Sequence, residues 1–238
     1  MSFSRLFTLV CLLLLSLSVN AEPNKQALKY IREKTFDKAE EQILKSLEKD
    51  SINPAGHYLA GMIHIQTSYS NFDIDSAYYH TLIAQDQWGI TDDRNLQKFI
   101  KIGISKDSID FLRLQIEVLA YKSALETMKI NGFESFFKKF DNDSLNILLT
   151  ITRDSLAFSQ ALNEDSWEAY EDFFITYPNS LQKDSAKQSY HRLIFEEKAN
   201  NRSEAEIEDF LQNVNDTPYR DNLEKQLLLH YTVANTPE

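Results

Sequence analysis

Residues 169–193 read AYEDFFITYPNSLQKDSAKQSYHRL. Tyr170, Phe173, Phe174 and Tyr177 fall at i, i+3, i+4 and i+7, the spacing that lines one face of an α-helix. Pro178 then ends the run, because proline has no amide hydrogen for a continuing helix. The same face returns at a fixed step on either side. Phe133, Tyr170 and Ile207 are 37 residues apart, as are Phe136, Phe173 and Phe210. Phe137, Phe174 and Leu211 keep the step, and so do Phe140, Tyr177 and Val214, then Leu149, Ala186 and Leu223. Three copies of one apolar face at one period mark a repeat protein, in which each unit buries its face only against its neighbours.

Helix punctuation agrees with the period. Asp165, with Glu168 three residues on, reads as the start of a helix through Tyr177, and Asn179 or Ser180 as the start of a second helix to about Ala199. In the next copy Ser203 and Glu206 form the S-x-x-E capping pattern, and Thr217-Pro218 opens the partner helix with proline in its first turn. Asp141-Asn142-Asp143 lacks the glycine and distal glutamate of a calcium loop and reads as the cap of a helix from Ser144. Each unit is then a short helix, a tight turn and a longer helix.

A related pattern occupies the front of the chain. Ala27, Tyr30, Phe36, Ala39 and Ile43 form a set of small and large residues, and Asp50 closes the second helix. Gly61 stands 34 residues after Ala27, while Ala77 follows Ala39 by 38, which implies a four-residue insertion near Ser68–Asp75. Residues 91–129 supply another pair, broken near Gly103. Only five glycines and five prolines argue against an all-β fold rich in tight turns. The expected fold is all-α, a right-handed α-solenoid of about six helix-turn-helix pairs. Its parts are N-terminal pairs at 22–90, a connecting pair at 91–130 and the 37-residue repeats at 131–238. The ending HYTVANTPE (230–238) reads as the opening of a further repeat.

These residues resemble the tetratricopeptide-repeat family. Residues 24–86 look like its ordinary form, although His57 takes the large tryptophan-type position of the second repeat. The stretch quoted above is similar to the Phe/Tyr-x-x-Tyr-Pro-x-Ser variant of bacterial outer-membrane assembly lipoproteins and periplasmic cell-division factors. The resemblance implies an interaction scaffold of the cell envelope, whose first helix in each pair lines a concave groove. Carried onto this chain, the groove positions are Leu28, Ile31 and Arg32 in the first repeat and Tyr58, Met62, Ile65 and Gln66 in the second. An apolar strip edged by Tyr and Arg suits a peptide: amphipathic anchors, with a guanidinium for a carboxylate.

Residues 1–21, MSFSRLFTLVCLLLLSLSVNA, read as a cleavable signal peptide. Arg5 precedes the apolar run, and Val19-Asn20-Ala21 supplies the small residues of a cleavage position. Cys11, the only cysteine, lies inside the apolar run rather than behind it, which argues against a lipid anchor. Cleavage at Ala21 leaves 217 of the 238 residues, no thiol, and a formal charge of −12 in place of −11 as Arg5 departs. Export without disulfides points to the periplasm, or the periplasmic face of the outer membrane, of a Gram-negative bacterium. The acidic balance disfavours nucleic acid and anionic lipid as partners, and no later run is apolar enough to span a bilayer.

No catalytic constellation stands out: there is no phosphate-cradling glycine loop, nucleophile elbow or paired carboxylates at catalytic spacing. His57 and His64 are two helical turns apart and could share a metal with His80, but the spacing fits a packing role for His64 between helices better. The aromatic set Phe136, Phe173 and Phe210 reads as core. Trp88 and Trp167, at helix ends, read as packing lids or exposed anchors. The expectation is a non-catalytic scaffold without cofactor or metal, docking another envelope protein or peptide. The alternatives are metal or small-ligand binding around His57 and His64, or the repeat module of a larger envelope protein.

Overall fold

The structure, a computed structural model, describes residues 21–234. The expected signal segment, with Cys11, lies outside the described residues except for Ala21, and so do residues 235–238 of the partial repeat. Twelve helices and no strand occur among the described residues. They are α1 (Ala21–Arg32), α2 (Phe36–Lys49), α3 (Pro54–His64), α4 (Ile74–Trp88), α5 (Asp93–Lys101) and α6 (Lys106–Thr127). There follow α7 (Ile130–Lys139), α8 (Asp143–Glu164), α9 (Trp167–Thr176), α10 (Lys183–Lys198), α11 (Glu204–Asn213) and α12 (Arg220–Ala234). None is long and apolar enough to cross a membrane. The chain divides into two compact units between Ser123 and Ala124, inside α6.

In the first unit α1 packs on α2 and α3, α2 on α3, and α3 on α4. Ala27, Ala39 and Ala77 are fully buried where these helices meet, since a methyl side chain lets two backbones approach. Phe36, Ala39, Ile43 and Ser46 form the buried face of α2, and Asp50 ends that helix with its N–H on the Ser46 carbonyl. Asn53 caps α3 by accepting from the Gly56 N–H, and Pro54 occupies the first turn. The expected insertion before α4 is a folded loop. Its Tyr69 is buried against Phe36, ring centroids 5.8 Å apart, and Asp73 caps α4. Gly103 ends the α5–α6 turn at φ +88°, a conformation that side chains other than glycine rarely adopt.

In the second unit helix bounds and burial recur at the period of the sequence. The short helices α7, α9 and α11 begin at residues 130, 167 and 204, 37 apart, and each has ten residues. Phe133, Tyr170 and Ile207 are buried at equivalent positions, as are Phe136, Phe173 and Phe210. Phe140, Tyr177 and Val214 each end their helix in the same way, with the N–H on the carbonyl of Phe136, Phe173 or Phe210. Leu149, Ala186 and Leu223 fill the facing positions of α8, α10 and α12.

Four expected helix starts move. Asp165 does not cap α9: α8 runs on to Glu164, and Asp165 ends it in the left-handed conformation at φ 47°. Ser166 caps α9 instead, accepting from the Ala169 N–H, and Asp165 accepts from the Tyr170 hydroxyl. The partner helix α10 begins at Lys183 rather than Asn179 or Ser180, because the Ser180 hydroxyl accepts from the Gln182 N–H and holds a turn there. Thr217 closes a similar turn onto the Tyr219 N–H, so α12 begins at Arg220 with Pro218 before it. Asn142 caps α8, which begins at Asp143, one residue ahead of the expected start at Ser144. The Ser203–Glu206 capping box forms with both of its reciprocal bonds.

Candidate functional site

The seven expected groove positions lie in the first unit and do not form one open strip. Leu28, Ile31 and Tyr58 are buried, at 7, 7 and 8 % exposure. Met62, Ile65 and Gln66 are half-buried, and Arg32 is exposed. The chain itself covers the face. Tyr58 bonds Ser108 of α6, and burial pushes its phenol upward against that bond and the charge of Arg32. Gln66 folds back to donate to the Met62 carbonyl at 3.0 Å. Leu28, Ile31 and Tyr58 are thus buried where the expectation placed them along an open groove.

The histidines do come together. His57 on α3 is 5 % exposed, and its Nε2 lies 2.9 Å from the Ser51 carbonyl oxygen. A carbonyl only accepts, so Nε2 carries the hydrogen and neutral His57 presents a bare Nδ1. That Nδ1 lies 2.8 Å from Nδ1 of His80 on α4, which must donate. His64 stacks on His80, centroids 5.8 Å apart and planes 6° from parallel, and its Nδ1 donates to the Asn71 carbonyl at 2.8 Å. Burial lowers His57, opposed by the Ser51 bond and the charge of Asp50. Burial, then the charges of His57 and His64, lower His80 to about 4. The rings face one another rather than a common point. Among the described residues no group of three or more His, Cys, Asp or Glu is placed to hold a metal ion.

A cleft of about 650 Å³ opens in the second unit between the start of α9, the end of α10 and α11. Trp167, Ile194, Phe210 and Val214 supply its apolar wall. Ser166 fixes Trp167 at the first residue of α9. The indole N–H donates to Glu197 at 3.0 Å, and the Lys198 ammonium sits 5.8 Å from the ring centroid. Lys198 also pairs with Glu197 at 2.6 Å, a contact that lowers the carboxyl and raises the amine. Glu206 is held in the capping box, and Asp209 accepts from Asn213. Arg202 lines the same cleft, and its backbone N–H donates to the Ala199 carbonyl. Its guanidinium has no close ion pair among the described residues; after the bonds from Lys198 and Ser203, its charge also lowers the carboxyls of Glu197 and Glu206. The sequence singled out Trp167 as a lid or anchor. Lys198 and Arg202 carried no signal, because solvated cations near a helix end are commonplace.

The cleft thus combines an apolar wall, a half-buried indole at its mouth and a guanidinium at its edge. It defines the chain's class only as an all-helical protein of packed helix pairs. No family model, curated protein or solved structure matches the chain.

Proposed function

We propose that this protein is a non-catalytic docking scaffold of the bacterial cell envelope, built of tetratricopeptide-like helix pairs, and that its partner enters the cleft beside Trp167. The observation that carries this reading is the cleft itself: about 650 Å³, walled by Trp167 and Phe210 and edged by Arg202. The occupant is a segment of another exported protein with one large apolar side chain and one carboxylate. The apolar group enters between Trp167 and Phe210, and the Arg202 guanidinium, which has no close ion pair among the described residues, takes the carboxylate in a charge-assisted bond. The other charged groups of the cleft already have partners, so this cation sets the polarity of the ligand.

Selection of displayed random peptides on the chain lacking residues 1–21 tests the reading. Enriched sequences are expected to pair an aromatic or aliphatic residue with Asp, Glu or a C-terminal carboxylate. Trp167→Ala should weaken the best peptide at least tenfold, roughly the loss of one interface anchor. Arg202→Glu should invert the charge preference. Failure to enrich any motif, or peptides that bind Trp167→Ala and Arg202→Glu undiminished, would overturn it.

A further inference from the structure

The three-histidine cluster of the first unit is remote in sequence from that cleft and independent of it. His57 ties three segments together through a single ring. Its Nε2–H bonds the Ser51 carbonyl in the α2–α3 turn, its own backbone belongs to α3, and its Nδ1 accepts from His80 of α4. Both bonds exist together only when Nδ1 of His57 is bare. One proton can be accommodated: His57 then donates from both nitrogens, and His80 shifts its hydrogen to Nε2 to offer a bare Nδ1. A second proton leaves two N–H groups and two positive charges facing across 2.8 Å.

We propose that the His57–His80 contact is a proton-operated latch, which holds α4 and the Ser51 turn onto α3 in neutral surroundings and lets go when they acidify. The groups that face the pair decide how many protons it tolerates. Asp50, at the end of α2, favours charge on His57. His64, on α3, opposes charge on His80. Asp73, at the cap of α4, faces His64 and not the pair. Tyr79 of α4 meets His80 edge-on, at 5.4 Å between centroids, and Tyr69 of the α3–α4 loop meets His64 in the same way at 5.8 Å. Among the described residues one carboxylate, Asp50, thus acts on the His57–His80 pair to balance a first proton, and none acts on His80 to balance a second.

The direction follows from linkage. His80 titrates near 6.5 in the unfolded chain and about 4 in the folded one. The unfolded state therefore binds more protons in this window. The latch contributes fully above pH 6.5 and is lost as pH falls through 6.5 towards 4. Carboxylates held low by their partners, such as Asp73 and Asp110, remain ionised down to pH 5 and leave that part of the window to the histidines.

The two tryptophans allow the first unit to be read alone: Trp88 lies in it and Trp167 in the second. In a Trp167→Phe background, urea unfolding followed by Trp88 fluorescence is measured at pH 7.5 and pH 5.0. The unfolding constant is expected to rise at least tenfold on acidification, within the limit of about tenfold per pH unit per proton. His80→Gln, which retains an amide partner for His57 but no charge, should cut that rise to about threefold or less. Equal pH dependence with and without His80→Gln, or none in either, overturns the proposal. Should His80→Gln fail to fold, ring-nitrogen spectra of the unsubstituted chain decide. His57 should carry its hydrogen on Nε2 at pH 7.5, and His80 should stay neutral below pH 5.5. Titration of His80 at the ordinary histidine value would equally overturn the latch.

Discussion

Gly61→Ala probes the closest approach in the first unit. A methyl at position 61 would sit 2.6 Å from Oγ1 of Thr81, and 3.2 Å from both the Ala77 carbonyl oxygen and Cδ2 of Leu112. Thr81 is fully buried, and its hydroxyl donates to that same Ala77 carbonyl at 2.8 Å. It cannot turn away without leaving a buried donor unpaired. Alanine is the better helix former by about 1 kcal/mol, which opposes the effect. Overpacking of this kind costs about 1–3 kcal/mol, and the lost hydroxyl bond adds about 1 kcal/mol. The net expectation is destabilisation by about 1–3 kcal/mol, roughly a 5- to 150-fold larger unfolding constant. Urea unfolding followed by Trp88 in the Trp167→Phe background measures it. Thr81→Ala removes the atom at 2.6 Å, so the double variant should recover about 1 kcal/mol relative to the sum of the singles. A Gly61→Ala protein as stable as its parent, or strict additivity with Thr81→Ala, would show that the helices do not meet here as described.

Two further substitutions address the second unit, read by Trp167 in a Trp88→Phe background. Arg153 lies between the rings of Phe137 and Tyr177, 5.3 and 5.0 Å from their centroids, and bonds Asp154 and Glu134. Asp154 is buried, so Arg153→Ala strands its carboxylate and should cost about 3 kcal/mol or more. Arg153→Lys should restore only part of the urea midpoint, since lysine lacks the planar fork. Ser203→Ala removes the side-chain cap of α11 and should lower stability by about 1 kcal/mol. Faster amide exchange in the first turn of α11 would check that the loss is local.

The short helices were legible because period and burial coincide. Phe136, Phe173 and Phe210 recur 37 apart in the chain and are equally buried, so counting along the sequence finds the same residues as measuring exposure. Helix starts were less legible where two capping residues stand side by side. Asp165 and Ser166 can both cap a helix, and only the length of α8 assigns Asp165 to its end and Ser166 to the next beginning. The cleft was half legible. Trp167 drew notice as a large apolar residue at a helix end, but Arg202 became informative only once its neighbours' ion pairs were visible. The His57–His80 contact joins rings 23 residues apart across two helices, a distance that no local pattern encodes.

The burial of the expected groove positions has a physical cause. A concave strip stays open only if nothing later in the chain returns to it. In the first unit α6 does return: Ser108 bonds Tyr58, and Leu112 comes close to Gly61. The apolar character of Leu28, Ile31 and Tyr58 is therefore spent within the fold, as their burial records. In the second unit the helices pack in strict succession, α7 on α8 through to α12. The space between α9, α10 and α11 is left uncovered by the described residues, with Trp167 half-exposed at its edge. An indole that already donates to Glu197 and stacks with Lys198 holds its orientation before a ligand arrives, which lowers the entropic cost of docking against it. Glu197→Gln should then test preorganisation separately from contact. The amide still accepts from the indole N–H but frees Lys198, so apolar anchoring should survive while the preference for a carboxylate strengthens.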